Sequence, residues 1–280
     1  MAEVRATLRE AALALTGIID TPRLDVELLM AHALGVSRSE MLLKMQDATV
    51  PASFADHFRR RQRHEPIAYI TGKAEFFGRE FGVASGVLIP RPDSETLVEA
   101  ALEASFLPKR VLDLGTGSGA LLLTLLCERP RAQGVGVDAS AFAVEIARRN
   151  AAELEKRGLL PVSTEWVVQQ RDWHEPGWNQ GLGRFDLVLC NPPYVEDGAE
   201  LDPDVREFEP PSALFAGPDG LDEYRILIPQ LRGLLAEGGV AILEIGASQG
   251  GQVTEIAVKA GFSAELRRDL AKRPRALILR

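Results

Sequence analysis

Nine residues constrain this chain more than any others: Val111-Leu112-Asp113-Leu114-Gly115-Thr116-Gly117-Ser118-Gly119. Val111 to Leu114 read as a buried strand, and Ala120 to Cys127 as the helix that leaves it. Three alternate glycines between them let the backbone turn sharply and keep side chains clear of a ligand. The N–H groups at the start of that helix are expected to face whatever docks there. Nineteen residues beyond Gly119, after a second apolar run (Val135-Gly136-Val137), stands Asp138. An acid at that distance suits the hydroxyls of a ribose. The pattern therefore predicts a nucleoside-bearing cofactor, with a ligand-free strand–helix turn as the competing reading.

A length of 280 residues is comfortable for two domains, and 46% apolar with 26% charged residues is ordinary for a globular protein. No run approaches the length of a membrane span. The net charge of −8 argues against a broad nucleic-acid grip, though not against a local basic patch. Cys127 and Cys190 each lie in an apolar stretch and read as reduced core residues of a cytosolic protein, with no metal expected. Glu3, Arg5, Arg9 and Glu10 break up the N-terminal apolar residues, so no signal peptide is expected.

Residues 1–70 read as an all-helical domain. Val4, Leu8, Ala11 and Leu15 share one helical face. Thr21-Pro22 is a start signal, Thr as cap and Pro at the first helical position, with Leu24, Leu28 and Ala31 expected to follow on the packed face. Gly35 closes that helix, and Ser37 with Glu40 has capping-box spacing for the next. Pro51 opens a further helix carrying Phe54, Phe58, Arg59, Arg60, Arg61 and Arg63. Residues 1–75 hold ten Lys/Arg and ten Asp/Glu, so the excess acid lies downstream. A neutral helical module suits partner docking. Its arginine cluster reads as a solvated face, with contact to ribosomal RNA or phosphate as the alternative.

Residues 71–92 read as a β-hairpin bridge. Tyr69 to Gly72, Glu75 to Gly78 and Glu80 to Val83 are β-prone pieces separated by glycines. Pro90 and Pro92 then exclude regular structure until Asp93 caps a helix through Leu97 and Ala101. Residues 93–280 form the second domain, where strand and helix alternate. Strands are expected at 110–114, 134–138, 165–169, 185–190, 239–245, 262–267 and 276–279. Helices are expected at 119–128, 140–156, 222–236 and 248–260. This is an α/β, Rossmann-like pattern: a mostly parallel seven-stranded sheet covered on both faces, its last two strands antiparallel at one edge. Ligands of such sheets sit beyond the carboxyl ends of the strands. Asp172 and Trp173, after the third strand, offer an acceptor and a flat ring for the amino group and face of an adenine, although a structural Trp is the other reading. Asp202 to Asp219 lacks a helical period and reads as a loop near the site, where Arg206 and Glu209 either touch a protein substrate or face solvent.

The fourth strand runs into Asn191-Pro192-Pro193-Tyr194. An amide nitrogen is a poor nucleophile because its lone pair is delocalised. A site that uses one needs an acceptor for each hydrogen. The Asn191 side-chain oxygen is one such acceptor. The Pro192 carbonyl suits the second, since neither proline has an N–H to commit to a ladder. Tyr194 can cover the planar group with its ring. Positioning would then supply most of the rate, and none of the histidines is expected to serve as a base.

Asp113-Leu-Gly-Thr-Gly-Ser-Gly119 with Asn191-Pro-Pro-Tyr194 resembles the class I S-adenosylmethionine-dependent N-methyltransferases. The flanks narrow the resemblance: Pro66-Ile-Ala-Tyr-Ile-Thr-Gly72, Phe76-Phe-Gly78, Leu88-Ile-Pro-Arg-Pro-Asp-Ser-Glu95, Phe208-Glu-Pro210, Gly217-Pro-Asp-Gly-Leu-Asp222 and Leu243-Glu-Ile-Gly246. Together they resemble the peptide chain release factor glutamine methyltransferases, the PrmC/HemK family, densely over residues 60–280 and more loosely before that. The resemblance implies S-adenosylmethionine as cofactor and S-adenosylhomocysteine as product. It implies methylation of the N5 amide nitrogen of the glutamine in the Gly-Gly-Gln tip of release factors, in the cytoplasm, with no membrane and no direct nucleic-acid substrate. By position, Asp113, Gly115, Thr116, Gly117, Ser118 and Gly119 would pass the methionine half of the cofactor. Asp138 would hold the ribose, and Asp172 and Trp173 the adenine. Asn191, Pro192, Pro193 and Tyr194 would bind the glutamine amide, Asn191 lying between cofactor and substrate. Asn191, Pro192 and Tyr194 would be the catalytic group, with Phe77 and Arg91 as walls.

Other readings are a ribosomal-protein glutamine methyltransferase, a nucleic-acid adenine-N6 methyltransferase and a nicotinamide oxidoreductase. The adenine enzyme should show a basic groove, which an acidic chain with a neutral bundle does not suggest. The oxidoreductase should space its glycines G-x-G-x-x-G rather than alternate them.

Overall fold

The computed structural model describes residues 3–104 and 107–280. The described residues form two compact units, one of residues up to 73 with 201–208 and one of residues 74–200 with 209–280.

The first unit is helical, with α1 (Val4–Leu15), α2 (Pro22–Leu34), α3 (Arg38–Lys44), α4 (Ser53–Gln62) and α5 (Ile67–Thr71). Val4, Leu8, Ala11 and Leu15 are buried, as their spacing predicts. α2 packs differently from expectation. Leu24 is exposed, and the buried set is Val26, Leu29, Met30 and Ala31 together with Asp25 and Glu27. The carboxylates are turned inward by cations: Arg61 bonds Asp25 at 2.6 Å, and Arg38 and Arg23 hold Glu27. The Thr21 hydroxyl donates to Asp25 at 2.7 Å and so makes no cap bond. The arginine cluster is therefore not wholly a solvated face, because Arg61 is buried and also faces Asp204 at 3.7 Å. Asp204 lies on α9 (Pro203–Phe208), a short helix where the sequence suggests a loop. Tyr69 to Gly72, read as β-prone, close α5 instead, with Gly72 left-handed at its end.

A hairpin of β1 (Lys73–Phe76) and β2 (Arg79–Gly82) follows, and the second unit starts within its first strand, at Ala74. A 3₁₀ turn, Pro92–Ser94, leads into α6 (Glu95–Ala104). Asp93 lies inside that turn and pairs with Arg275 at 2.7 Å, so it is not the helix cap. There follow β3 (Arg110–Leu114), α7 (Ala120–Glu128), β4 (Gln133–Asp138), α8 (Ala141–Lys156), β5 (Trp166–Gln170), β6 (Phe185–Cys190), α10 (Asp222–Leu234), β7 (Leu235–Glu244), α11 (Gly250–Lys259), β8 (Ala264–Arg268) and β9 (Pro274–Leu279). The sheet order is β5-β4-β3-β6-β7-β9-β8, with β9 antiparallel to both β7 and β8.

Alternation along each strand divides the core. Leu112, Leu114, Val188 and Cys190 face α10 and α11, while Val111, Leu187 and Leu189 face α6 and α7. Each such leucine, fully buried, contributes about 1.5–3 kcal/mol, and truncating one to alanine costs about 2–5 kcal/mol. The chain leaves β3 toward β4 and β5, then returns to lay β6 on the other side of β3. The loops at the carboxyl ends of β3 and β6 therefore part company, and a crevice opens between them.

Candidate active site

Leu114 lies beside Cys190 at the ends of β3 and β6, so Gly115–Gly119 and Asn191–Tyr194 start from neighbouring points. A cavity of about 310 Å3 opens there, bordered by Gly115 to Ser118, Asp138, Asp172, Trp173, Asn191 and Pro193. That volume suits a small organic cofactor.

The glycine turn needs its glycines. Gly115 has φ +70°, and a Cβ there would lie 3.3 Å from the Trp173 ring. Gly119 has φ +81°, and a Cβ would lie 3.2 Å from Ala147, keeping α8 away. Four amides of the turn are spent inside the protein. Gly115 and Thr116 both donate to the Val137 carbonyl, Gly117 donates to Asp138, and Gly119 donates to Thr116. Those four are therefore not available to a ligand, while Ser118, Ala120 and Leu121, which open the helix, border the cavity.

Asp113 is buried beneath the turn and does not border the cavity. The Thr116 hydroxyl donates to it at 2.6 Å, and burial pushes its carboxyl up to about 7. Asp138 does border the cavity. It accepts from Gly117 N–H at 2.8 Å and Ser140 N–H at 2.9 Å, which fix its carboxylate. Burial raises its pKa, and those two bonds pull the other way.

At the far end, Trp173 donates its indole N–H to Glu223 at 2.6 Å. Asp172 Oδ1 accepts from the His174 N–H at 2.9 Å and faces the imidazole Nδ1 at 2.7 Å. His174, for which no role as a base is expected, also borders the cavity.

At the near end, Asn191 Nδ2 donates to the Ser94 hydroxyl at 3.3 Å. Ser94 in turn donates to Glu244 Oε2 at 2.5 Å, and Tyr194 donates to Oε1 at 3.1 Å. Glu244 is wholly buried. Burial raises its carboxyl, while the Ser94 bond, the charge of Arg275 and the Tyr194 bond act in the opposite sense. Burial and the charge of Glu244 push the Tyr194 phenol upward, so it remains a donor. Gln249 donates to the carbonyls of Tyr194 and Gly220 and pins the chain behind the loop.

Of the remaining candidates, Arg91 borders the cavity and is held by Glu209 at 2.5 Å. Glu209 is buried and so does not present itself to a protein substrate as expected; Arg206, on α9, is exposed. Phe77 does not border the cavity. With φ +50° it forms the hairpin turn and its N–H donates to Glu95, and Phe76 takes the lining position instead. Pro192 is buried, and neither it nor Tyr194 is among the lining residues. Sequence reasoning missed Ser94, Glu223 and the role of Glu244. The last carries a visible signal, a lone acid inside the apolar run from Val240 to Ile245.

Sheet order and crevice together define a class I methyltransferase. A family model described as the PrmC N-terminal domain matches residues 6–72, and one described as the methyltransferase small domain matches residues 91–208. Release factor glutamine methyltransferase from Rhodospirillum rubrum is 39% identical over 94% of this chain and 80% of its own. The protein of that name from Xylella fastidiosa is 41% identical over 86% of each. A crystal structure of a methyltransferase from Pyrococcus furiosus, 17% identical, covers 80% of this chain and 98% of its own with a TM-score of 0.51, a likeness of fold. The chain belongs to the release factor glutamine methyltransferase family.

Proposed function

We propose that this protein transfers a methyl group from S-adenosylmethionine to the N5 amide nitrogen of the glutamine in the Gly-Gly-Gln tip of peptide chain release factors. Family membership supports the substrate class. The observation that carries the chemistry is the polarity of Asn191. Glu244 is an acceptor, so Ser94 gives it its only hydrogen and can take only a donor on its other side. Asn191 therefore turns Nδ2 toward Ser94 and keeps Oδ1 for an incoming N–H.

The cavity fits the cofactor: Asp138 supplies a fixed acid for ribose hydroxyls, and Trp173 with Asp172 supplies a face and an acceptor for adenine. When bound, the cofactor supplies an electrophilic methyl carbon. The chain's own residues hold the nucleophile. Asn191 Oδ1 and the Pro192 carbonyl take the two amide hydrogens and draw the nitrogen lone pair out of conjugation. Pro193 and Tyr194 limit where the planar group sits. No base is needed beforehand, because the proton becomes acidic once nitrogen has gained carbon. Orientation of this kind is worth several orders of magnitude in rate. Arg91, fixed by Glu209, walls the substrate side. The helical unit serves as the docking module for the release factor, which is the partner, in the cytoplasm; the net charge of −8 does not suit a nucleic-acid substrate.

The test is incubation of a release factor with methyl-labelled S-adenosylmethionine, followed by peptide mass spectrometry. Label on the Gly-Gly-Gln glutamine is expected. Label on any other residue, or none, refutes the assignment.

A further inference from the structure

The adenine end of the cavity holds a side-chain circuit centred on His174, to which the methyl-transfer reading gives no role. His174 Nδ1 faces Asp172 Oδ1 at 2.7 Å, and Nε2 faces Glu223 Oε1 at 3.2 Å. An ionised carboxylate only accepts, and neutral imidazole has one N–H and one bare lone pair. Either neutral tautomer would leave that lone pair beside a carboxylate. The geometry thus calls for a proton on both nitrogens. We propose that His174, as an imidazolium, is a positioning residue that ties Asp172 to Glu223 and makes cofactor affinity depend on its proton. The inference rests on the reading of this cavity as the S-adenosylmethionine site.

The two carboxylates come from separate elements, Asp172 from the turn after β5 and Glu223 from the first turn of α10. They are the charged groups that face the ring from those elements. Glu223 also accepts the Trp173 indole at 2.6 Å, so its place fixes the ring that lies over Gly115. Both bonds from His174 fall on Asp172 Oδ1, which leaves Oδ2 for a ligand. Burial lowers the imidazole pKa, but the Asp172 hydrogen bond and the Glu223 charge outweigh it, and the net direction is upward. The Asp172 carboxyl is lowered, first by the His174 backbone bond. The strap is therefore intact at low pH and is lost as pH rises through the raised His174 pKa. Above it, one carboxylate is released and the adenine end loosens.

The experiment measures binding of S-adenosylhomocysteine by calorimetry from pH 6 to pH 9, for the full chain and for His174→Gln. The glutamine cannot titrate, so it controls for ionisation of the ligand. NMR of the imidazole follows His174 itself, assigned by its loss in the variant. For the native chain, affinity should fall about fivefold across the range, with a midpoint matching the His174 titration, as expected for a partly exposed ion-pair strap. By linkage, ligand should move that midpoint upward. The variant should bind more weakly at pH 6 and keep only the pH dependence that ionisation of the ligand gives it. Parallel profiles in the two proteins overturn the strap while leaving the cavity's ligand established. No binding in either protein at any pH overturns the cavity reading and the inference with it.

Discussion

The side-chain nitrogen of Asn191 donates to the Ser94 hydroxyl at 3.3 Å, and this one bond decides which end of the Asn191 amide faces the crevice. Ser94 sits in the 3₁₀ turn before α6 and Asn191 at the end of β6, so the bond joins two segments 97 residues apart. Ser94→Ala removes the acceptor without creating a large void. The Asn191 amide is then free to rotate, and its oxygen is correct only part of the time. Turnover should fall about 10- to 100-fold while the affinity for S-adenosylhomocysteine stays unchanged, a loss of positioning alone. A matched loss of cofactor affinity would count against this relay.

Glu244 is the fixed point behind that bond. Glu244→Gln keeps its shape but converts one acceptor into a donor, so Ser94 and Tyr194 can no longer both donate to it. The relay should scramble with the fold intact, giving about a tenfold drop in turnover and a small change in melting temperature. Glu244→Ala should be worse in kind, because it orphans the buried Ser94 hydroxyl and the half-buried Tyr194 hydroxyl and opens a cavity, at a cost of about 2–4 kcal/mol. Thermal melts beside turnover separate the two effects.

Asn191→Ala tests the clamp directly. The cavity wall is shortened, yet Asp138, Trp173 and the glycine turn are untouched. Binding of S-adenosylhomocysteine should persist within a few-fold while single-turnover methylation of the release factor falls about a thousandfold. Near-normal rates would show that the nucleophile is held elsewhere.

Much of this was legible before any coordinates. The buried run from Val111 to Leu114 is β3, and Asp138, read as the ribose acceptor, ends β4 beside it and borders the cavity. What escaped depended on pairing across sequence distance. Asp25 and Glu27 look like surface residues of an amphipathic helix until Arg61, Arg38 and Arg23 are seen to neutralise them. α9 has too few apolar residues to show a period, and Asp204 is held by an arginine of another helix. Phe77 and Phe76 are adjacent letters, and only the hairpin turn, with φ +50° at Phe77, tells which one reaches the cavity. The partners of the turn's amides are hidden for the same reason: Gly115, Thr116 and Gly117 donate to Val137 and Asp138 on the next strand.

Gly115→Ala probes the packing of that turn. The new methyl meets the Trp173 ring at 3.3 Å in a backbone conformation that L residues avoid. Both the turn and the ring must shift, and both border the cavity. The dissociation constant for S-adenosylhomocysteine should rise about tenfold or more, with turnover at saturating cofactor less affected. Isothermal titration with single-turnover rates at saturation distinguishes this from the Ser94 pattern.

Asp113 carries a pH signature of its own. Its carboxyl is pushed up to about 7 by burial, from 3.8, with the Thr116 hydroxyl bond opposing. Between those values the folded chain binds a proton that the unfolded chain has released. Stability from this group is therefore complete at the acidic end of the window and falls as pH rises, by about 1.4 kcal/mol per pH unit, until it levels above the folded pKa. Asp113→Asn keeps an oxygen for Thr116 and cannot titrate. The stability of the variant relative to the native chain should thus climb between about pH 5 and pH 7 and then hold constant, the fall belonging to the native carboxyl alone. The measurement is urea unfolding followed by tryptophan fluorescence, which reports the second unit because Trp166, Trp173 and Trp178 all lie in it. A difference that stays flat across that range would mean the Asp113 carboxyl is already ionised at pH 5, braced by groups other than Thr116.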